Sequence, residues 1–434
     1  MIFNKEMETM PLEKLKSLQS ERLKKIVEYT NTNSQFYKSK YKESGVSPAD
    51  INSLDDIQKL PFTTKDDMRD TYPFGIFSAP SKDIAEIHVS SGMTGNPTLM
   101  GYSKSDLELW SEVMARALSC AGVSRGDMIQ ISYGYGLFTG GLGVHYGALK
   151  LGATILPMSA GQTRRQIQLM SSLKPTVIAC TPSYALYMAE EAAAMGISAE
   201  QISWKIGVFG AEPWSDSMRR EIEKRLGLKA YDIFGLSEII GPGVAMDCAE
   251  QNGLHFWADV FYPEVIDPQT NQPVPDGENG ELVITTLTKT AAPLIRYRTR
   301  DIVSITSEPC KCGRTMPRIS KIKGRVDDMI IVRGINIFPS QVEHVLLNIG
   351  KGVSPNYQIV VDRNAHYQDS IEILVELEES IFSDSMREIA ALESAILKEM
   401  SAVLAISPKL RFVSPGTIER SEGKAKRIID KRSI

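Results

Sequence analysis

The chain has 434 residues, of which 42% are hydrophobic and 24% are charged. This length exceeds one ordinary hydrophobic core, so we expect a globular protein with at least two domains. The formal net charge of −4 argues against a nucleic acid or an anionic membrane as partner. Five cysteines, an acidic start at residues 1–8 and no long apolar run predict a cytoplasmic protein without a signal peptide or membrane span.

The first two thirds of the chain predict helices and then alternating strands and helices. Residues 1–80 have a helical pattern that includes residues 12–31. From residue 84 to 234, short apolar runs alternate with amphipathic segments, which indicates parallel strands joined by helices. The predicted strands are 84–89, 127–133, 153–157, 176–180, 204–209 and 229–234, and the predicted helices are 104–121, 163–173, 183–195 and 214–226.

The last third predicts a β-rich part and then a smaller α+β unit. The β-like runs are 256–266, 280–288, 294–305 and 329–332. The smaller unit has helix 339–348, strands 356–362 and 370–377, helix 383–404 and strand 409–413. The predicted fold class is therefore α/β. A large N-terminal domain (1–324) of mostly parallel βαβ sheets plus a β-rich subdomain precedes a small mobile α+β domain (325–434).

A stretch rich in glycine and hydroxyl residues follows the predicted strand 84–89. Its residues are Ser90, Ser91, Gly92, Met93, Thr94, Gly95, Asn96, Pro97 and Thr98. Such residues leave backbone N–H and side-chain O–H groups free to surround a phosphate chain. No Gly-Lys-Ser/Thr follows, so the stretch is not a Walker loop. An ordinary Ser/Gly surface loop has the same composition, so the choice between a phosphate loop and a surface loop depends on the motifs further along the chain.

Two motifs follow strands of the predicted parallel sheet, at the edge where open α/β sheets bind ligands. They are Gly210-Ala211-Glu212-Pro213 and Tyr231-Asp232-Ile233-Phe234-Gly235-Leu236-Ser237-Glu238. Phe234 can stack on a purine, and the Glu238 carboxylate can hold Mg²⁺ against phosphate oxygens. A βα turn with a core aromatic and a capping serine is the alternative for either motif.

Three later motifs also allow a nucleotide-related or a plain structural role. Asp301, at the end of 296–301, can accept ribose hydroxyls or belong to a surface ion-pair cluster. Asp327 lies at the compositional break near residue 324, where a hinge is expected. Lys424, after Gly423, can deliver a positive charge to a phosphate or belong to a solvated basic tail.

Together and in this order, the motifs resemble the adenylate-forming superfamily of acyl-CoA synthetases, peptide-synthetase adenylation domains and luciferases. The closer resemblance is to the phenylacetate–coenzyme A ligase family, through residues 90–98, 133–141, 210–214, 235–238 and 297–301. It extends from about residue 10 to residue 430. Met93 and Asn96 depart from the Thr and Lys usual in the family, which leaves slower adenylation open.

The resemblance implies an enzyme that uses ATP, Mg²⁺ and coenzyme A, and it implies roles for named residues. It assigns the ATP site to Ser90, Ser91, Gly92, Thr94, Gly95, Ala211, Glu212, Pro213, Asp232, Phe234, Gly235, Asp301 and Arg325. Glu238 would ligate Mg²⁺, and Lys424 would bridge the substrate carboxylate and the α-phosphate. Asp327 would be the hinge about which the small domain rotates between two half-reactions. Gly334 would let the pantetheine of CoA approach.

A glycine-rich segment with aromatic residues is the candidate acid pocket. Tyr135, Phe138, Gly140 and Gly141 lie in it. Glycines thin the backbone and leave room for a flat aromatic ring. Tight packing of a helix on the sheet also requires small residues and is the alternative.

Four residues that adenylation does not need have the composition of a zinc site. Cys248, His255, Cys310 and Cys312 supply the Cys₃His set that suits tetrahedral Zn²⁺. The site would be structural, since four protein ligands leave no open position. Buried free thiols with an incidental histidine are the alternative, and Cys120 and Cys180 are expected in the core.

The sequence thus predicts an ATP-dependent acid–CoA ligase that acts through an acyl-adenylate, with an arylacetic acid, phenylacetate first, as substrate. One alternative is another carboxylic acid, such as a hydroxybenzoate or indoleacetate. Another is a degenerate nucleotide-binding or zinc-stabilised protein, which Met93 and Asn96 would permit. The expected partners are the acid, ATP and CoA, without nucleic acid or membrane, and a homodimer is a further expectation.

Overall fold

The computed structural model describes residues 1–90, 97–325, 330–332, 335–350, 352–363, 369–378, 386–404, 406–420 and 425–432. The chain forms two compact units. The first comprises Met1–Cys180, Ser203–Ala211 and Lys229–Lys321. The second comprises Thr181–Ile202, Glu212–Leu228 and Ile322–Ile434. The division into domains at residue 324 stays a prediction.

Four helices and a hairpin open the first unit. The helices are α1 (Lys5–Glu8), α2 (Leu12–Asn33), α3 (Gln35–Glu43) and α4 (Lys65–Asp70). Strands β1 (Ile84–Ser90) and β2 (Thr98–Ser103) pair antiparallel in a two-stranded sheet, with Ser90 opposite Thr98. The strand predicted at 84–89 therefore exists, but it belongs to this hairpin and not to the parallel sheet.

A nine-stranded sheet forms the centre of the first unit. Its parallel part consists of β3 (Met128–Ile131), β4 (Thr154–Pro157), β5 (Val177–Cys180), β6 (Ile206–Gly210) and β7 (Lys229–Leu236). Strands β8 (Gly241–Asp247) and β9 (Leu254–Phe256) extend the sheet in the antiparallel direction. Two short strands, β14 (Arg318–Ile319) and β13 (Ile305–Thr306), follow β9 and form the edge of the sheet. Residues such as Ile129, Val177 and Val208 are fully buried, as expected for strands covered on both faces.

The helices of the first unit that follow the hairpin are α5 (Lys104–Cys120), α6 (Thr139–Leu151) and α7 (Thr163–Leu173). A capping box starts α5, where the Ser103 hydroxyl accepts from the Asp106 N–H and Asp106 accepts from the Ser103 N–H. Gly152, with φ +83°, ends α6 in the left-handed conformation that glycine adopts without strain.

The β-rich part of the first unit contains an antiparallel group of strands. They are β10 (Phe261–Ile266), β11 (Gly280–Thr286) and β12 (Tyr297–Val303), in that order. The buried Arg296, just before β12, pairs with the buried Glu264 of β10 at 2.8 Å between Nη2 and Oε1. The β-rich subdomain predicted from residue 256 onward is thus present.

The second unit contains two helices that join β5 to β6 and β6 to β7, α8 (Pro182–Ala194) and α9 (Asp216–Leu226). Its later elements are β15 (Gly324–Arg325), β16 (Ile330–Val332), β17 (Ile335–Ile337), α10 (Pro339–Ile349), β18 (Val353–Arg363), β19 (Asp369–Leu377), α11 (Met386–Leu404), β20 (Lys409–Val413) and β21 (Ile428–Asp430). Strands β20, β19, β18 and β21 form one mixed sheet. Its core includes Ile359, Ile373, Val375 and Ile396, so the predicted α+β pattern is confirmed.

Candidate active site

The described residues include only part of the predicted site. Seven predicted positions lie outside them: Ser91, Gly92, Thr94, Gly95, Asp327, Gly334 and Lys424. The backbones of Ser90 and Arg325 are described, as members of β1 and β15. The described part of the site consists of residues that flank the phosphate-loop candidate and residues at the ends of the sheet strands.

The β1–β2 hairpin fixes both ends of the phosphate-loop candidate beside the predicted acid pocket. The Val89 N–H donates to the carbonyl of Leu137 at 3.1 Å, and Nδ1 of the buried His88 donates to the same carbonyl at 3.0 Å. Leu137 precedes Phe138, a predicted pocket residue. The first unit thus brings the start of the predicted phosphate loop and the pocket segment together.

The predicted magnesium ligand lies on the turn between β7 and β8. The Glu238 side chain is 8% exposed, and its Oε1 lies 3.4 Å from Nζ of Lys65, at the first position of α4. A carboxylate oxygen is the hard ligand that Mg²⁺ prefers, and it takes only one or two of them together with substrate phosphates. The donor set therefore fits the metal that the sequence predicts.

This turn is also joined to the pocket segment. Ser237 and Thr139 share a hydrogen bond of 3.0 Å between their hydroxyls, and the Tyr102 hydroxyl donates to the Ser237 carbonyl at 3.2 Å. A Cβ on Gly235 would lie 2.0 Å from the Gly241 carbonyl oxygen, so only glycine fits there. Gly235 is consequently required by the turn itself, whatever it does for ATP.

Parallel pairing places two predicted nucleotide-binding motifs at neighbouring strand ends. Phe209 lies opposite Asp232 and Gly210 opposite Ile233, so Ala211 and Phe234 come next on β6 and β7. Ala211 has φ +71°, a backbone conformation that non-glycine residues adopt rarely. Such strain is typical of functional sites when the surrounding structure enforces it. Asp232 and Phe234 are both 8% exposed.

Glu212 and Pro213 belong to the second unit, where Glu212 binds two backbone N–H groups. Oε1 accepts from Ser183 N at 2.7 Å, and Oε2 accepts from Ala425 N at 3.1 Å. Ala425 directly follows the predicted catalytic Lys424 in sequence. The carboxylate thus holds the chain one residue from that position.

In the candidate acid pocket, Tyr135 has a partner that the sequence did not single out. Its hydroxyl lies 3.3 Å from Nδ1 of His145 on α6. Burial raises the pKa of Tyr135 to about 12 and lowers the pKa of His145, so both groups are neutral at pH 7. An uncharged pair of this kind favours contact with the uncharged aromatic ring of a substrate over contact with a charged group.

The glycines of this segment have two different roles. A Cβ on Gly141 would lie 2.7 Å from the Gly134 carbonyl oxygen, and one on Gly140 would lie 2.5 Å from the Phe138 ring. Gly134 and Gly136 instead face open space. Packing therefore explains Gly140 and Gly141, as the alternative proposed, while room for a ligand exists at Gly134 and Gly136.

The predicted ribose ligand lies in the antiparallel sheet that contains β10, β11 and β12. Asp301, on β12, is 4% exposed, and its N–H donates to the Thr299 hydroxyl at 3.1 Å. The neighbouring Arg298 and Arg300 pair with Glu281, whose side chain is fully buried. Arg298 and Arg300 thus have the ion-pair role that the alternative assigned to this motif, and the ribose role of Asp301 stays a prediction.

The four predicted zinc ligands converge in the first unit. One ligand atom from each of Cys248, His255, Cys310 and Cys312 lies within 4.8 Å of all the others. The Cys248 and Cys310 sulfurs are 3.8 Å apart, and Cys312 Sγ is 3.2 Å from Nε2 of His255. A tetrahedron with Zn–S bonds of about 2.3 Å has sulfurs about 3.8 Å apart. The cluster therefore has nearly the dimensions that zinc requires.

The protonation of the cluster also favours a metal. A hydrogen bond from Cys248 lowers the pKa of Cys312, and the same bond raises the pKa of Cys248. The lowered pKa favours the thiolate form of Cys312, which is the form that binds metal. Nδ1 of the buried His255 has no hydrogen-bond partner among the described residues. Cys120 and Cys180 are buried, as predicted for core residues.

Comparison with known proteins identifies the family. The AMP-binding enzyme family matches residues 7–288, and the AMP-binding enzyme C-terminal domain matches residues 334–432. The phenylacetate-coenzyme A ligase of Thermus thermophilus is 46% identical over all of both chains, and that of Escherichia coli is 46% identical over 98% of this chain and 97% of the relative. The chain belongs to the AMP-binding enzyme family.

A solved structure supports the same conclusion for the fold. A 2-hydroxyisobutyryl-CoA ligase in the postadenylation state, in complex with an acyl-AMP, has a TM-score of 0.93 at 30% identity, over 98% of this chain and 92% of its own. The expected α/β fold class is thus confirmed. In the part of the chain that the structure describes, no helix has the length and apolarity to span a membrane.

Proposed function

We propose that this chain is an ATP-dependent phenylacetate–coenzyme A ligase. The observation that carries the proposal is the 46% identity to the Thermus thermophilus phenylacetate-coenzyme A ligase over the full length of both chains. Three further phenylacetate-coenzyme A ligases are 46–47% identical over at least 97% of this chain. The neutral Tyr135–His145 pair and the open space beside Gly134 and Gly136 are consistent with an aromatic acid.

The proposed reaction has two steps, acyl-adenylate formation and thioester formation. In the first, a carboxylate oxygen of phenylacetate attacks the α-phosphorus of ATP, so that an acyl–O–P bond forms and pyrophosphate leaves. In the second, the thiol of CoA attacks the acyl carbon, the C–O bond to AMP breaks, and the thiol proton is lost to solvent. The products are phenylacetyl-CoA, AMP and pyrophosphate.

The first step brings two anions together, so cations stabilise its transition state more than its ground state. We propose that Lys424 supplies one positive charge between the carboxylate and the α-phosphate. Glu238 would hold Mg²⁺, which would neutralise phosphate oxygens. Lys65 lies with its Nζ 3.4 Å from Oε1 of Glu238 and forms an ion pair with this carboxylate. The remaining ATP residues, Asp301 and Arg325 at the ribose included, keep the roles predicted above.

A panel of acids tests the function directly. CoA- and ATP-dependent thioester formation is measured with phenylacetate, indoleacetate, 4-hydroxybenzoate, 4-chlorobenzoate and 2-hydroxyisobutyrate. We expect the highest kcat/KM with phenylacetate. A higher value with another acid would reassign the substrate, and the absence of acid-dependent ATP–pyrophosphate exchange with all of them would refute the ligase.

We also propose one structural Zn²⁺ per chain on Cys248, His255, Cys310 and Cys312. The compact ligand cluster supports this metal. All four positions would be filled by protein, so the ion would stabilise the fold and take no part in the chemistry.

We propose a cytoplasmic location, because none of the five cysteines forms a disulfide, as a reducing compartment favours. The homodimer stays a prediction, which light scattering of the purified protein tests.

A further inference from the structure

A lysine that the proposed reaction does not use lies fully buried in the first unit. Lys289, between β11 and β12, has no exposed surface. Burying an ammonium group is costly, and a methionine or leucine of similar length would fill the same space without this penalty. The position of its charge therefore requires an explanation.

The ammonium group of Lys289 binds the turn that carries Glu238. Nζ donates to the carbonyl of Ile239 at 2.8 Å and to the carbonyl of Glu238 itself at 3.4 Å. The third contact is Met100 Sδ at 3.7 Å, and Nζ also lies 4.6 Å from the centre of the Tyr102 ring. A lysine has three N–H donors, and these contacts direct two of them to the Glu238 turn.

The inward direction of Lys289 is fixed by its neighbours. Asp106, in the first turn of α5, accepts from the N–H of Thr290 at 2.8 Å and from the N–H of Ala291 at 2.9 Å. The same carboxylate accepts from Ser103 N in the capping box at 3.0 Å. The backbone after Lys289 is thus attached to the start of a long helix, and its side chain is directed to the Glu238 turn from a rigid support.

We propose that Lys289 is a positioning residue for the metal–nucleotide site. It holds the two turn carbonyls, and so it fixes the direction in which the Glu238 carboxylate presents its oxygens to the Mg²⁺ of Mg·ATP. The inference rests on the proposed function, in which Glu238 is the metal ligand.

Lys65 and Lys289 then have different roles at this turn. Lys65 contacts the carboxylate itself and lies at the surface, with 35% of its side chain exposed. Within the turn, Lys289 contacts the backbone carbonyls of Glu238 and Ile239 and not the carboxylate, and it is fully buried. Removal of a group that orients a metal ligand typically lowers metal affinity or activity 10- to 100-fold. We expect an effect at the lower end of this range, because Lys289 acts through the backbone.

The test measures binding rather than turnover. Mn²⁺ is titrated into the full-length protein with ATP and without acid, and free Mn²⁺ is followed by electron paramagnetic resonance. We expect Lys289→Met to raise the dissociation constant of Mn·ATP about tenfold. We expect the loss to be largely absent in a Glu238→Gln background, because Lys289 acts through that carboxylate. Arg116→Met is the matched control, since it removes a buried cation bound to Asp259 instead.

Three results would overturn the proposal. They are a Lys289→Met value within twofold of the wild type, an equal loss in the Glu238→Gln background, and an equal loss in Arg116→Met. If Lys289→Met does not fold, Lys289→Gln, which removes the ammonium group and keeps a polar side chain, replaces it and is judged by the same coupling to Glu238. Failure of wild-type protein to bind Mn·ATP would instead refute the proposed function.

Discussion

Loss of the proposed zinc from the Cys248, His255, Cys310 and Cys312 cluster should lower the thermal stability of the first unit. The metal would connect Cys248 and Cys310, which are 62 residues apart along the chain. A link that closes a loop of this length lowers the entropy of the unfolded chain and so stabilises the fold by about 4 kcal/mol. In a unit of this size, 1 kcal/mol corresponds to roughly 2 °C, so we expect Tm to fall by roughly 8 °C.

The assay combines metal content with thermal unfolding. Zinc is measured by mass spectrometry in protein purified without chelator, and Tm is measured before and after dialysis against a chelator and again after zinc is restored. The Cys310→Ser, Cys312→Ser double variant is expected to lose the metal and to match the chelated protein. The matched control is Cys180→Ala, which removes a buried thiol outside the cluster and keeps one zinc per chain.

Purified protein that contains no stoichiometric zinc would refute the proposed metal site. It would also be refuted by a double variant with full metal content, or by a chelated protein whose Tm is unchanged. A loss of kcat larger than the loss of folded protein would contradict the structural role, since four protein ligands leave no position for substrate.

Three further outcomes are expected. Lys424→Ala should slow acyl-adenylate formation by orders of magnitude and leave thiolysis of supplied phenylacetyl-adenylate intact, which single-turnover assays of each half-reaction measure; equal losses would contradict its role. Asp327→Pro, which fixes φ near −65°, should abolish one half-reaction and spare the other, and an unimpaired overall rate would remove the hinge from the mechanism. Gly141→Ala should lower the unfolding free energy by about 1–3 kcal/mol because its Cβ would meet the Gly134 carbonyl, whereas Gly134→Ala, which faces open space, should change it by less than about 0.5 kcal/mol in urea titrations.

The sequence predicted most of the regular structure, because hydrophobic periodicity is strong in this chain. The helix predicted at 163–173 is α7 (Thr163–Leu173), and the strand predicted at 409–413 is β20 (Lys409–Val413). The pairing of β1 was not predictable, since an apolar run of six residues looks the same in a hairpin and in a parallel sheet. The strand β2, directly after the phosphate-loop candidate, and β8 were missed for a related reason. Their glycines, at 101, 241 and 243, resemble loop signals.

The candidate site also contains some residues that could be predicted from the sequence and others that could not. Cys248, His255, Cys310 and Cys312 could be predicted to converge because soft ligands are few in this chain. His145 and Lys289 could not be found, because a lone histidine in a helix and a lysine in a loop give no periodic or motif signal. Lys65 begins α4 behind a capping box, which predicts the helix start but not the direction of its side chain.

The attachment of Thr290 to Asp106 has a consequence for how the chain is made. The two residues are 184 positions apart. The capping carboxylate of α5 therefore cannot form its hydrogen bond to Thr290 until that length of chain has been synthesised. At about 5–20 residues per second, the delay is roughly 10–40 s. During this time α5 and the β1–β2 hairpin lack an anchor that they have in the finished fold. We expect ribosome-bound chains that end near residue 250 to be cleaved around residue 106 by a protease, and chains that extend well beyond residue 300 to resist it.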